Sequence, residues 1–501
     1  MKNIAIIGSG FLGLTLALRL SQTGAKVTVF EAASEIGGLA GAWQIGDLTW
    51  DKHYHVTLLS DAYTRKIVEE IGLADEFKWV ETKTGFYTDG QLVSMSNTLE
   101  FLRFPPLDLI GKFRLGGTIF YASRVKDWKA LEKISVEDWL TKLSGRRTFE
   151  KMWKPLLKAK LGEAYRETSA AFIWATIQRM YAARASGLKK EMFGYVRGGY
   201  ARVLERFAAH LREKGVEIRL NEKVERLEKI DEKIEIFPAR AERREAAKSA
   251  ASGGLSTAEL QISNFKTQSK ISNEAAAFNN RNGFEICNLK SEIGEDRRPK
   301  SRDRFDSVIL TCPSAVAARI VPQLTENEKA KLAGIKYQGI VCASLLLKKS
   351  LSGFYVTNIT DETPFTGIIE MSALVDKSEF GGRALVYLPK YVAPDDDLFE
   401  RSDAEIEEKF LSALEKMYAH FSRADVLAFK ISRVRQVFPL PVLNYSENVP
   451  AVKTSLENVF IVNSAQITNG TLNVNETVQL AEKFLAAENI RFTGNSGKIP
   501  R

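Results

Sequence analysis

Six residues near the start of the chain, Gly8-Ser9-Gly10-Phe11-Leu12-Gly13, restrict its fold more than any others. They have the spacing G-x-G-x-x-G, a weak signal alone that the surrounding residues complete. Residues 3–7 (NIAII) are a short apolar run that reads as a buried strand. Leu12, Leu16, Ala17 and Leu20 then share one side of a helix over residues 11–22. Gly24 closes that helix, and Lys26–Phe30 (KVTVF) is a second strand, so the chain opens as a βαβ unit. In such a unit Gly8 permits the tight turn, Gly10 lets the backbone approach a pyrophosphate, and Gly13 allows close helix–strand packing. The helix start, with Ser9, Phe11 and Leu12 around it, offers free N–H groups and a positive dipole end to phosphates. Glu31, with Ala32 beside it, lies about 20 residues on, where a carboxylate accepts hydrogen bonds from ribose hydroxyls. That acid argues against a 2′-phosphate, and so against NADP.

Further along, the chain alternates between helical and strand-like stretches. Residues 60–72 read as a helix, and 86–104 as short strands and turns around Asp89-Gly90. Residues 105–160 read as helical. Within them 107–131 is amphipathic and basic, suited to a membrane surface, an apolar tunnel or simple packing on neighbours. Gly198-Gly199 precedes a helix over 200–213, then come strand Val216–Leu220 and strand material from Val224 to Phe237. Residues 239–304 lose periodicity and carry roughly four of the nine net positive charges, which reads as a flexible surface insertion. Phe305–Thr311 returns as a buried strand. Several strands between Gly339 and Leu388 suggest an antiparallel sheet, followed by a helix over 403–419 and a closing strand and helix.

Composition removes several function classes. With 501 residues and 45% hydrophobic content, the chain can fill more than one core. The net charge of +9 suits an anionic ligand or an acidic membrane surface, but no basic stripe interleaved with aromatics argues for nucleic acid. Cys287, Cys312 and Cys342 form no CxxC pair and read as packing residues of a reducing compartment. Four histidines and those thiols offer no zinc spacing, so no metal is expected. Lys2 before an apolar stretch resembles a signal peptide, yet the glycines interrupt it and no cleavage site follows. No apolar run approaches the ~20 residues of a membrane span. The expected location is the cytoplasm, with peripheral contact at the inner membrane face left open.

Residues 31–43 (EAASEIGGLAGAW) separate FAD from NAD. Here the chain resembles the FAD-dependent amine oxidase, phytoene desaturase and protoporphyrinogen oxidase superfamily. In that family a Glu, a paired glycine and a small-residue loop run past the second phosphate and under the flavin. Gly37, Gly38 and Gly41 match, with Leu39, Ala42 and Trp43 in the same loop. Leu39 stands where the family often has Arg. Tyr195–Tyr200 (YVRGGY) and Phe305–Pro313 (FDSVILTCP) are similar to later family segments. Val224 sits where the family binds adenine through its backbone. Asn458–Ser464 and Thr471–Glu476 resemble the closing strand, turn and helix. This implies cofactor contacts from Ser464, Asn473 and Val474, and a helix dipole toward the flavin pyrimidine edge. Trp153–Leu157 (WKPLL), Phe365–Glu370 (FTGIIE) and Leu385–Val392 (LVYLPKYV) resemble the protoporphyrinogen oxidase-like subgroup.

The resemblance implies an α/β fold: a discontinuous Rossmann-type FAD-binding domain (1–80, 194–330, 450–490) and an α+β substrate domain (81–193, 331–449) with a mostly antiparallel sheet. The expected function is an FAD-dependent oxidoreductase that moves hydride from a substrate C–H to flavin N5, reoxidised by oxygen or a quinone. Cys342 stands where family amine oxidases place a lysine beside the flavin, which disfavours amine oxidation. His53 and His55 follow the cofactor loop and are either acid/base groups or structural hydrogen-bond partners. Arg103, Arg179 and Arg197 are candidates to hold an anionic small-molecule substrate. Two alternatives stand beside this reading: a redox-neutral flavoenzyme similar to UDP-galactopyranose mutase, and a non-catalytic FAD-binding partner protein. Oligomeric state is not legible.

Overall fold

A computed structural model describes residues 1–184, 192–239 and 303–493. Cys287 and residues 240–302 of the expected insertion lie outside the described residues. The first strand, β1 (Asn3–Ile7), is almost wholly buried, as its unbroken apolar run requires. Helix α1 (Phe11–Gln22) follows at once and buries ten of its twelve residues, and Gly24 at φ +82° turns the chain into β2 (Lys26–Phe30). These start a five-stranded parallel sheet in the order Glu217–Arg219, β2, β1, Ser307–Leu310, Val459–Ile461. Five distant stretches of the chain therefore build one dinucleotide-type sheet. Its strand order reverses beside β1, where the C-terminal ends of strands open a ligand crevice.

Helix α1 lies against the C-terminal helix Val474–Thr493. Arg19 ties them further. Its guanidinium is buried and bonds Glu70 at 2.5 Å and Glu482 at 2.7 Å. A buried arginine needs such paired acids, because an unpaired charge in the interior is costly.

The second layer is a seven-stranded sheet in the order 426–439, 337–347, 384–392, 367–370, 356–359, 84–88, 91–94. Its pairs are antiparallel except Val356–Ile359 with Thr84–Thr88. Side chains alternate across it, as strand geometry demands. Val341, Ala343, Leu345, Val386 and Leu388 face the amphipathic helix Asp403–Met417. Ile340, Cys342, Leu385, Tyr387 and Tyr391 face the helices of residues 98–184 and the loop after β2.

The structure refines the reading in three places and corrects the bounds of the insertion. The stretch 224–237 is two antiparallel strands, Val224–Ile230 and Lys233–Pro238, turned at Asp231 (φ +53°). The insertion is narrower than 239–304, because Asp303–Phe305 already pairs with Lys233–Pro238. The 14-residue strand Val426–Pro439 goes unread in the sequence, since its half-exposed, charged side chains hide the alternation.

A Cβ built on Gly13 would lie 2.0 Å from the Gly8 carbonyl oxygen, whereas one on Gly10 would meet nothing within 4 Å. Gly13→Ala is therefore expected to destabilise the protein by about 1–3 kcal/mol through overpacking. Gly10→Ala should change stability by no more than about 1 kcal/mol. Urea unfolding of both variants checks the contrast.

Candidate functional site

The cofactor end of the site forms where β1 turns into α1. Gly8 takes φ +109° with Thr311 Oγ1 directly beside it, so a side chain is excluded there. Helix α1 has no side-chain N-cap and no acid in its first turn, which leaves its N–H groups free for an anion. The space in front of Gly10 is open. An open approach, free N–H donors and an uncompensated helix dipole fit a pyrophosphate. Glu31 Oε2 accepts from Ser9 N and Ser9 Oγ at 2.9 and 2.7 Å, which holds the carboxylate at the end of β2. Asn221 N and Glu222 N bond Ala33 O and Glu31 O, so the chain leading to Val224 runs beside that carboxylate.

The second glycine loop closes over the first. Gly37 N donates to Ser9 O at 2.9 Å, and Gly37 and Gly38 both take positive φ. Leu39 brings no charge here. The structure instead places the Lys52 ammonium 3.8 Å from where a Gly41 Cβ would stand. Ala42 and Trp43 begin a hairpin, and the Lys430 ammonium lies 4.7 Å from the Trp43 ring centre. At the far end, Asn473 caps the last helix through Glu476 N, leaving Val474 at its first position. Asn463 is fully employed: its carboxamide caps Ser464–Gln466 and donates to Cys312 O and Ser314 Oγ. Ser464 is half-buried at the start of that turn.

The two histidines point to different places. His53 bridges, its Nδ1 3.2 Å from Leu39 O and its Nε2 3.1 Å from Ser432 Oγ. Burial, then the neighbouring His55, pushes its pKa down to about 4, so at neutral pH it is an uncharged clamp. His55 faces the other way. Its Nδ1 is 3.5 Å from Asp51 Oδ2, and its ring packs 4.9 Å from Tyr200.

Ser432 pairs in register with Cys342 on the neighbouring strand, so His53 joins the cofactor loop to the apolar sheet face. Burial pushes the Cys342 thiol far up, which keeps it protonated and unreactive. Around it stand groups the sequence did not single out. Tyr54 OH is 2.9 Å from Tyr391 OH, and Lys160 Nζ, from helix Lys154–Leu161, donates to Tyr391 OH at 2.6 Å. Burial alone lowers the Lys160 pKa to about 7, and burial lifts the Tyr54 hydroxyl to about 12.

The three arginines do not converge. Arg179 is taken by Asp61, with Nη2 to Oδ2 at 2.7 Å, as expected for a half-buried guanidinium with an acid in reach. Arg103 and Arg197 are exposed at the ends of separate elements. They form no common anion grip. Among the described residues no cluster of His, Cys, Asp and Glu could hold a metal, and no helix is long and apolar enough to cross a membrane.

The model of the flavin containing amine oxidoreductases matches residues 13–253 and 280–471. A zeta-carotene desaturase of Synechocystis sp. is 26% identical over 204 residues, 36% of this chain and 42% of that protein. Protoporphyrinogen oxidase 2 of Arabidopsis thaliana is 27% identical over 141 residues, 27% of this chain and 28% of that protein. The chain thus spans less than half the length of either relative. A putrescine oxidase structure superposes with a TM-score of 0.68 at 15% identity, covering 98% of this chain and 99% of that one, a likeness of fold. These likenesses give no support to the sugar-nucleotide mutase alternative, and the arginines needed to grip a diphosphate are apart.

Because His53 binds protons less readily folded than unfolded, acid favours the unfolded chain. Its contribution to stability is present above about pH 6.5 and is lost as pH falls toward about 4. For the cofactor-free protein the loss should reach no more than about 3 kcal/mol. His53→Gln should flatten the stability profile across that window, as read by urea unfolding at each pH.

Proposed function

The chain belongs to the flavin containing amine oxidoreductase family, and from that premise we propose that it is an FAD-dependent dehydrogenating enzyme, an oxidase or desaturase, acting on an extended apolar substrate. One observation carries this reading: the His53 bridge from Leu39 to Ser432. Whatever rests on the sheet face around Cys342 lies against the end of the cofactor loop.

When bound, FAD supplies the acceptor for hydride leaving a substrate C–H bond. The protein's own work is holding and shielding. Glu31 takes ribose hydroxyls, the start of α1 takes phosphate, and Lys52 supplies the cation that Leu39 does not. Val224, Ser464 and the Asn473–Val474 turn would hold the remaining length of the cofactor. Leu346, Leu385, Tyr387, Phe438 and Cys342 are buried behind Tyr54 and Tyr391, and this apolar backing suits a hydrocarbon-like substrate better than a charged amine. The electron acceptor in this reading is oxygen or a quinone.

A membrane surface fits as the source of such a substrate. Leu109, Ile110 and Phe113 are 65%, 71% and 77% exposed on helix Leu109–Arg124, next to exposed Leu99 and Leu102. Exposed Arg114 stands beside them, and exposed Arg124, Lys126 and Lys129 lie at the far end of the same helix and just after it. An exposed apolar patch on a helix that also carries exposed cations suits an anionic bilayer face.

Purified protein is expected to show flavin absorption near ~450 nm, released as FAD on denaturation. Under anaerobic conditions zeta-carotene or protoporphyrinogen should bleach it. FAD that neither donor bleaches would remove this reading. Ile110→Asp with Phe113→Asp should cut sedimentation with phosphatidylglycerol vesicles at least about tenfold while leaving the flavin spectrum unchanged.

A further inference from the structure

We infer that Lys160 is the proton acceptor of the dehydrogenation proposed above, held in place by a chain of two tyrosine hydroxyls, Tyr391 and Tyr54. The inference rests on that reading of the site and assigns it a base.

The argument begins with position. Lys160 closes helix Lys154–Leu161, whose Leu157 and Leu161 are buried against the apolar sheet face. Its ammonium stands over the rings of Tyr391 and Phe438, 3.9 and 5.1 Å from their centres. Lys154 and Lys158 on the same helix pair with Glu150 and Glu163 at the surface. Lys160 has no carboxylate within ion-pair distance among the described residues. The titratable groups facing this interior are Tyr387 and Tyr391 from one strand, Cys342 from the next, Tyr355 at the head of a third, and Tyr54 and His53 from the cofactor loop. All are neutral at neutral pH, as their pKa directions require.

A second observation concerns access. Lys160, Tyr54 and His53 are surrounded by protein on nearly every side, yet each keeps partial solvent-accessible surface. Their shared partial exposure marks the point where solvent or a ligand reaches the join between loop and sheet. On one side of that join stands the loop with His53 and Tyr54, and on the other the sheet with Ser432 and Tyr391. Among the described residues the ammonium has no acid beside it, only the Tyr391 hydroxyl and the two ring faces. Burial without an opposing acid brings its pKa to about 7, suited to proton transfer near neutral pH.

Forming a C=C bond from two neighbouring C–H bonds needs two departures. The first carbon loses hydrogen and its bonding pair as hydride to the flavin. The second loses a proton to Lys160 Nζ, and the electron pair of that bond becomes the new π bond. Tyr391 OH, hydrogen-bonded to Nζ and to Tyr54 OH, fixes the direction of the amine lone pair and links it to the loop.

The test uses the FAD-loaded full-length chain. Competitive acetylation with acetic anhydride, read by peptide mass spectrometry across neutral and alkaline pH, should give Lys160 a labelling midpoint near about 7. A midpoint near the ordinary ~10.4 overturns the inference whichever donor the protein accepts. Lys160→Met and Lys160→Arg should each slow anaerobic flavin bleaching by zeta-carotene or protoporphyrinogen about 100-fold or more, with FAD content unchanged and the acid limb of the pH–rate profile gone. Wild-type bleaching rates in both variants overturn it. So does a rise in the half-saturating donor concentration at an unchanged limiting rate, which would make Lys160 a binding contact. Failure of wild-type protein to bleach with either donor would instead sink the proposed function, while the labelling midpoint still judges the amine.

Discussion

The structure depends on how closely α1 approaches the end of β1. With no side chain at Gly13, helix backbone lies directly against the Gly8 carbonyl. The helix start is thereby held over the strand ends with its N–H groups unpaired. That contact sets the direction of α1, and α1 in turn sets the C-terminal helix, through packing and through Arg19. The closing strand Val459–Ile461 and the turn at Asn463 then come to the same crevice from the far end of the chain. One steric allowance thus organises both ends of the cofactor site.

The second governing fact is the polarity of one sheet face. Alternation places Cys342, Tyr387 and Tyr391 among leucines and isoleucines. Polar groups there must find partners, and they find each other: Tyr391 with Tyr54 and Lys160, Ser432 with His53. The loop after β2 and the seven-stranded sheet are joined by these bonds, so the two layers of the fold meet at a chemically defined line. Burial lowers the basic groups of this line and raises the acidic ones, so only Lys160 changes charge near neutral pH.

The cofactor half was largely legible because its signals are local. Gly8, Gly10, Gly13 and Glu31 fall within one βαβ unit, and each is demanded by sterics or hydrogen bonding inside that unit. The substrate half was legible in type and poor in detail. Val341–Leu347 and Ala384–Val392 read as strands from their β-branched and aromatic content. Val426–Pro439 did not, because an edge strand keeps one side in water and its Lys430, Arg433 and Arg435 mask the pattern. The arginines were misleading for the same physical reason: Arg179 looks available in sequence, and only the fold shows that Asp61 already occupies it.

The sequence by itself determined the dinucleotide cradle and the order of the elements that return to it, because backbone sterics and hydrophobic period act over a few residues. Only the tertiary structure decided which side chains share the seam. Residues 54, 160, 342, 391 and 432 meet there because of strand register and helix placement. A register shift of one residue would turn Cys342 and Tyr391 to the opposite face. No local pattern encodes that choice. It follows from the simultaneous burial of both faces of the seven-stranded sheet, and Lys160 acquires its chemical character from that enclosure alone.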